Sequence, residues 1–199
     1  GVEMAENLAH LNINTTLVEL APQILAPVDY EIACFAQNEM RLNGVELVLS
    51  DGVKKFFENE IELTSGKKIP CDIVILSIGV KPEITLAKNA GLEVNRGIKV
   101  NDNMQTSDPD IFAGGDSVEV KSFVTNQDTL IPLAGPANRQ GRIIADNICN
   151  LNSTYKKSQG TSVLKVFDYT VAALGYNERL LKQENIPYWK VLVFGNSHA

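Results

Sequence analysis

Apolar residues at Val2, Ala5, Leu8, Ala9 and Leu11 recur at the spacing of one helix face, so the chain opens on a helix with neither a capping residue nor a strand ahead of it. Residues 15–20, Thr-Thr-Leu-Val-Glu-Leu, are β-branched and apolar and predict a strand that ends on Glu19. A second amphipathic helix is predicted over residues 29–42, stopped by Asn43 and Gly44. Short strands at 45–49, 53–57 and 61–64, the last turning at Ser65 and Gly66, predict a meander. Residues 72–79, Asp-Ile-Val-Ile-Leu-Ser-Ile-Gly, form a nearly continuous apolar run, the pattern of a strand buried on both faces.

The pattern then weakens. Residues 91–104 predict a loop with a short strand at 98–100. Residues 106–116 read T-S-D-P-D-I-F-A-G-G-D: turn formers, a short apolar strand over 111–113, then two glycines and a carboxylate. Residues 117–129 are polar and poorly patterned and predict a surface loop. Residues 131–142 run into a helix that stays apolar-periodic through Ile148, with Pro136 suited to its first turn. The polar stretch 153–162 marks a domain boundary. Beyond it, strands are predicted at 163–167, 171–174 and 189–194, with a helix at 177–184.

Composition narrows the partners. The 199 residues are 44% hydrophobic, ordinary for a globular protein, and 18 basic against 24 acidic side chains leave a net charge of −6. With no basic cluster, nucleic acid and anionic membrane surfaces are excluded as expected partners. No apolar run approaches the roughly 18 residues of a membrane helix and no signal peptide opens the chain, so a soluble cytoplasmic protein is expected. Cys34, Cys71 and Cys149 are odd in number, far apart and without metal-ligand spacing; their apolar neighbours predict buried packing roles rather than nucleophiles, and no metal site.

Several positions carry candidate chemistry. Gly114 and Gly115 lack a Cβ and admit a ligand to the backbone, where Asp116 can accept hydrogen bonds from a ribose or polyol; alternatively Asp116 caps the next segment. Helix, strand and acid form the second half of a dinucleotide-binding unit if Gly1 is the last glycine of its turn. Glu19 then bonds the adenosine ribose and repels a 2′-phosphate, favouring NADH over NADPH; a surface carboxylate ending a strand is the alternative. Gly79 is a candidate for close approach to a nicotinamide, or a plain strand-ending turn. The N–H groups around Pro136 make a positive helix end suited to an electron-rich ligand atom, while Arg139 and Arg142 suit phosphate or, better, local carboxylates. Tyr188 and Trp189 suit core packing or a subunit contact.

Gly1-Val-Glu-Met-Ala-Glu, Leu17-Val-Glu-Leu, Gly66 with Asp72-Ile-Val-Ile, Ile78-Gly-Val-Lys-Pro, residues 106–116 and residues 131–142 come in an order and spacing that resembles the FAD-dependent pyridine nucleotide-disulfide oxidoreductases over essentially the whole chain. Within them, residues 131–142, Lys165-Val-Phe-Asp and Pro187 through Asn196-Ser-His-Ala are most similar to the coenzyme A-disulfide reductases, particularly those fused to a rhodanese domain; NADH oxidases and peroxidases are close relatives.

The resemblance implies an α/β fold with a partial Rossmann-like NAD(H) domain over 1–103, lacking its first strand and glycine turn. It further implies the C-terminal segment of an FAD domain over 104–152 and the first part of an α+β dimerisation domain over 160–199. It implies that Gly1 and Glu3 start the NAD-domain helix, that Glu19 is the ribose-binding acid and that Gly79 lies near the nicotinamide. Gly115 and Asp116 would meet the FAD ribityl chain, Leu133 and Ala134 the flavin ring, and Asn138, where some relatives carry histidine, the substrate. The redox cysteine is expected upstream of Gly1, matched by none of the three cysteines present, and the substrate-facing tyrosines beyond Ala199. The chain is therefore expected to be a homodimer-forming fragment, inactive alone, of a protein passing hydride from NADH through FAD to coenzyme A disulfide or persulfide. An NADH oxidase or peroxidase, or a nucleotide-binding and dimer-interface module, are the alternatives.

Overall fold

The computed structural model describes residues 1–195; the resemblance at Asn196-Ser-His-Ala lies outside the described residues. Helix α1 (Val2–His10) leads to strand β1 (Thr16–Glu19), helix α2 (Tyr30–Leu42) and strand β2 (Glu46–Leu49). β1 and β2 pair in parallel, Leu17 opposite Leu47 and Val18 opposite Val48, so α2 is the crossover of a βαβ unit. α2 buries Ala33, Ala36, Gln37 and Met40, the spacing of one helical face. It stops where the pattern predicts: Gly44 at φ +82° donates to the Arg41 carbonyl and Val45 to that of Met40 at 3.0 Å, satisfying two carbonyls of the last turn.

Strands β3 (Val53–Phe56), β4 (Glu60–Leu63) and β5 (Lys68–Pro70) form an antiparallel meander around buried Ile61, Leu63 and Ile69, with a membership other than expected: the strand predicted at 45–49 leaves it to pair with β1, and β5 takes its place. β5 lacks a sequence signal because only its central Ile69 is buried. The strand expected over 72–79 does not form: the segment joins no ladder among the described residues, and Ile73 and Ile78 are 81% and 89% exposed. Its apolar run records what the side chains prefer, but a strand also needs a hydrogen-bonding neighbour, and among the described residues β1 pairs with β2 alone. The short helix α3 (Thr85–Asn89) follows, too brief to leave a periodic pattern.

Strand β7 (Val118–Lys121) runs parallel to β6 (Ile98–Lys99) and antiparallel to β8 (Asp128–Leu130). The surface loop expected over 117–129 is thus overturned, since Val118, Glu119 and Val120 are all buried. The strand expected over 111–113 contracts to a single bridge between Phe112 and Gln105. Helix α4 (Ala134–Ile148) packs Ile143 and Ile144 onto this sheet beside Met104, Val118, Val120 and Tyr155.

The hairpin of β9 (Ser162–Val166) and β10 (Tyr169–Ala173) precedes helix α5 (Glu178–Gln183). Val166 and Phe167 are buried in the same cluster as Ala5, Ile24, Ala36, Met40 and Val45, and the rings of His10 and Phe167 meet edge-on at 5.3 Å. The strand expected over 189–194 is also absent: no ladder forms among the described residues, and Trp189 is fully exposed rather than packed in a core. The cysteines depart from expectation too. Cys34 and Cys71 are half-buried, and Cys149 is exposed because it terminates α4, where its apolar neighbours Ile148 and Leu151 are exposed as well. Among the described residues no helix is long and apolar enough to cross a membrane, and no cluster of three or more His, Cys, Asp or Glu side chains could hold a metal.

Candidate functional site

The candidate residues fall into two sets, one on α1, β1 and the segment ending on Gly79, the other around α4. In the first, Gly1 caps α1, its carbonyl taking the Ala5 N–H at 2.9 Å, and a Cβ at Gly1 would stand 3.6 Å from Ser77 Cβ. The start of α1 therefore lies beside the segment that ends on Gly79. Gly79 has φ +94° and open space where a Cβ would be, so the backbone there is accessible and in a conformation that favours glycine. Glu3 is exposed in the first turn of α1, where a carboxylate complements the helix dipole. Glu19 closes β1 at the carboxyl end of the parallel pair, the edge where α/β sheets present ligands. Its Oε1 accepts the Ala21 N–H at 2.9 Å, which fixes the side chain, while Oε2 takes no hydrogen bond from the described residues.

The second group surrounds α4. Gly115 has φ +90°, and the backbone passes from it to Asp116, whose exposed carboxylate takes no hydrogen bond from the described residues. Leu133 caps α4 with extended backbone, and its N–H is engaged by the Ile131 carbonyl at 2.8 Å. The donors left over at this helix end are Ala134 and Gly135, since Pro136 has none. A cavity of about 1190 Å³ opens against this end, with Arg139, Lys156 and Lys157 on its walls; Asp116 and Asn138 are not among its lining residues. Asn138 is exposed and turns its amide back to the Ala134 carbonyl at 3.2 Å.

Of the buried polar residues that escaped sequence reasoning, Glu119 and Gln140 lie on the sheet and helix of this second group. Glu119 on β7 accepts through one oxygen from the Arg96 N–H at 2.9 Å, the Gly97 N–H at 3.2 Å and Asn95 Nδ2 at 3.2 Å, while its buried Oε2 has no partner among the described residues. The close approach needs Gly97, where a Cβ would fall 2.8 Å from the Ser117 carbonyl oxygen. Gln140 on α4 is buried and its Oε1 accepts the Gly115 N–H at 2.7 Å. The available signals differed: Glu119 alternates with Val118 and Val120 along β7 and so reads as the outward residue of a half-buried strand, whereas Gln140 lies one turn ahead of Ile143 and Ile144 on the apolar stripe of α4.

A family model described as pyridine nucleotide-disulphide oxidoreductase matches residues 1–141. The crystal structure of reduced Bacillus anthracis CoADR-RHD is 53% identical, covering 94% of this chain and 34% of that one, with a TM-score of 0.91. An NADH oxidase of Methanocaldococcus jannaschii is 34% identical over 100% of this chain and 45% of its own length. A coenzyme A disulfide reductase of Staphylococcus epidermidis is 29% identical over 100% of this chain and 46% of its own. The chain thus spans about half the length of the curated relatives it matches.

Proposed function

Because this chain belongs to the pyridine nucleotide-disulphide oxidoreductase family, we propose that it forms the NADH-binding part and one wall of the flavin site of an enzyme that reduces a coenzyme A disulfide or persulfide. The observation that carries the reading is the turn at Gly114, Gly115 and Asp116, which holds an unengaged carboxylate on a fixed backbone beside α4. These residues fit FAD: Asp116 can accept from ribityl hydroxyls, and the free N–H groups of Ala134 and Gly135 suit an electron-rich edge of the ring, next to Leu133. When bound, the flavin supplies the two-electron chemistry. The chain's own residues bind and orient.

On the nucleotide side, Gly1 and Glu3 begin the helix that faces the dinucleotide, Glu19 offers Oε2 to the adenosine ribose, and the open backbone at Gly79 admits the nicotinamide. NADH is favoured because a 2′-phosphate would meet the Glu19 carboxylate. Residues 1–103 act as the NAD(H)-binding domain, 104–152 as the flavin-binding segment with Asn138 toward the sulfur substrate, and 160–199 as part of a homodimer contact. Exposed Trp189, Val191 and Val193 support that contact. The 53% identity to CoADR-RHD favours a coenzyme A-linked sulfur substrate.

The NADH oxidase similarity over the whole chain favours a second reading, in which the electrons pass to oxygen or peroxide. NADH consumption by the protein at its full cellular length, measured with coenzyme A disulfide, coenzyme A persulfide, peroxide and oxygen, separates the two. Fastest turnover is expected with a coenzyme A species; turnover with oxygen alone would overturn the first reading.

A further inference from the structure

Helix α4 carries a polar side chain inside its apolar stripe. Gln140 is 1% exposed, and its Oε1 accepts the Gly115 N–H at 2.7 Å. The bond comes with close packing, for a Cβ at Gly114 would stand 2.8 Å from Ile144 Cδ1 and 3.4 Å from Gln140 Cβ. The missing side chain at Gly114 lets the turn sit directly on the helix. The Asp116 backbone is thereby registered on α4 by one hydrogen bond and a glycine contact. The helix end that offers Ala134 and Gly135 belongs to the same rigid rod, about 9 Å of axial rise from Gln140 at 1.5 Å per residue.

We propose that Gln140 is a positioning residue that holds Asp116 at a fixed distance from the N-terminal N–H groups of α4, so that one rigid element sets the grip on both the hydroxylated chain and the ring of a single flavin. The proposal rests on the flavin reading above. A methionine of similar length would fill this apolar site without the cost of burying an amide, so what the amide adds is its directed acceptor. Gln140 touches no reacting atom; it acts through Gly115 on the placement of Asp116.

The test uses the protein at its full cellular length, as wild type, Q140M and Q140E, with three measurements: the FAD dissociation constant, the visible absorption of the bound flavin, and the melting temperature of the FAD-free protein. Q140M removes the acceptor, and FAD affinity is expected to fall about tenfold with an altered flavin band, as for loss of one hydrogen bond. Q140E keeps an acceptor for Gly115 and is expected to recover most of the affinity and the wild-type band. A merely structural role would lower the melting temperature and leave both flavin readouts unchanged, and that result overturns the proposal. Should Q140M not fold, Q140N, which withdraws the acceptor by one methylene, carries the same expectation. Wild-type protein that binds no FAD overturns the flavin reading itself; wild-type binding with equal binding by the variants overturns only the role of Gln140.

Discussion

Asn177 donates through Nδ2 to the carbonyl of Ala26 at 2.8 Å while its Oδ1 accepts the Leu180 N–H at 3.0 Å, so one side chain caps α5 and fastens it to the loop ahead of α2. Asn177→Ala is expected to lower stability by about 1–2 kcal/mol, the worth of a cap plus a buried bond. Asp is a good cap elsewhere, yet Asn177→Asp is expected to rescue little, because its carboxylate would face the carbonyls of Ala26 and Val28. Urea denaturation of the two variants decides it; full rescue by Asp would show that the cap alone matters.

Glu119 binds three donors of residues 95–97 through one oxygen. Glu119→Ala leaves the Arg96 and Gly97 N–H groups without that acceptor and is expected to cost about 2–3 kcal/mol, with Glu119→Gln, which retains an acceptor, costing less. Denaturant midpoints measure the loss, and faster hydrogen exchange at the Gly97 amide locates it.

Lys182, with Lys190 and Tyr188, donates to Glu178 and holds its carboxyl down at about 2, and Lys190 also reaches Glu31 on α2 at 2.5 Å. A folded-state pKa below the unfolded one means stability that is present above the ordinary carboxylate range and lost as pH falls toward about 2. Lys190 is shifted up by the same contacts, so its share persists below the ordinary lysine pKa and fades only as pH rises beyond it. Glu178→Gln is expected to flatten the acid side of the stability profile from about pH 5 to about pH 2, and added salt to shrink the difference between the two proteins. Parallel acid profiles for both would remove this network from any account of acid stability.

Glu19 makes the sharpest prediction about the ligand. Loss of a charged hydrogen-bond acceptor should cost about 1.5–3 kcal/mol, so Glu19→Ala is expected to weaken NADH binding at least about tenfold by calorimetry. The preference for NADH over NADPH should narrow in the same variant. Unchanged affinity would remove Glu19 from the nucleotide site.

Long, strongly periodic segments were readable. The helices α2 and α4 and the strands β1 and β2 follow from spacing and stop signals, but their assembly does not: 45–49 reads as part of a meander, and only the folded chain pairs it in parallel with β1 to make a βαβ unit. Residues 72–79 and 189–194 were misread for one physical reason: an apolar run states that side chains favour a pleated surface, but which backbone pairs with it is a property of the rest of the fold. Residues 117–129 failed in the opposite sense: Val118-Glu-Val-Lys alternates over only four residues within a polar stretch, and the burial of Glu119 depends on the N–H groups of residues 96 and 97 that it binds. In the candidate site, Glu19 and Asp116 could be found as acids after strands and glycines. Gln140 stands out in sequence only as a polar residue on an apolar stripe; its bond to Gly115, 25 positions away, is encoded by no local pattern.

Val166 and Phe167 complete the cluster begun by Ala5, Ala36 and Met40, which places a demand on the order of synthesis. A ribosome adding about 5–20 residues per second needs roughly ten to thirty seconds between delivering α1 and delivering Phe167. Until then the apolar stripes of α1 and α2 lack part of their cover, and a nascent chain in that state is a client for holding chaperones. Translation speed over the middle of the message therefore governs how long the first helices stay wet, a dependence that refolding from denaturant, with every residue present at once, does not reproduce.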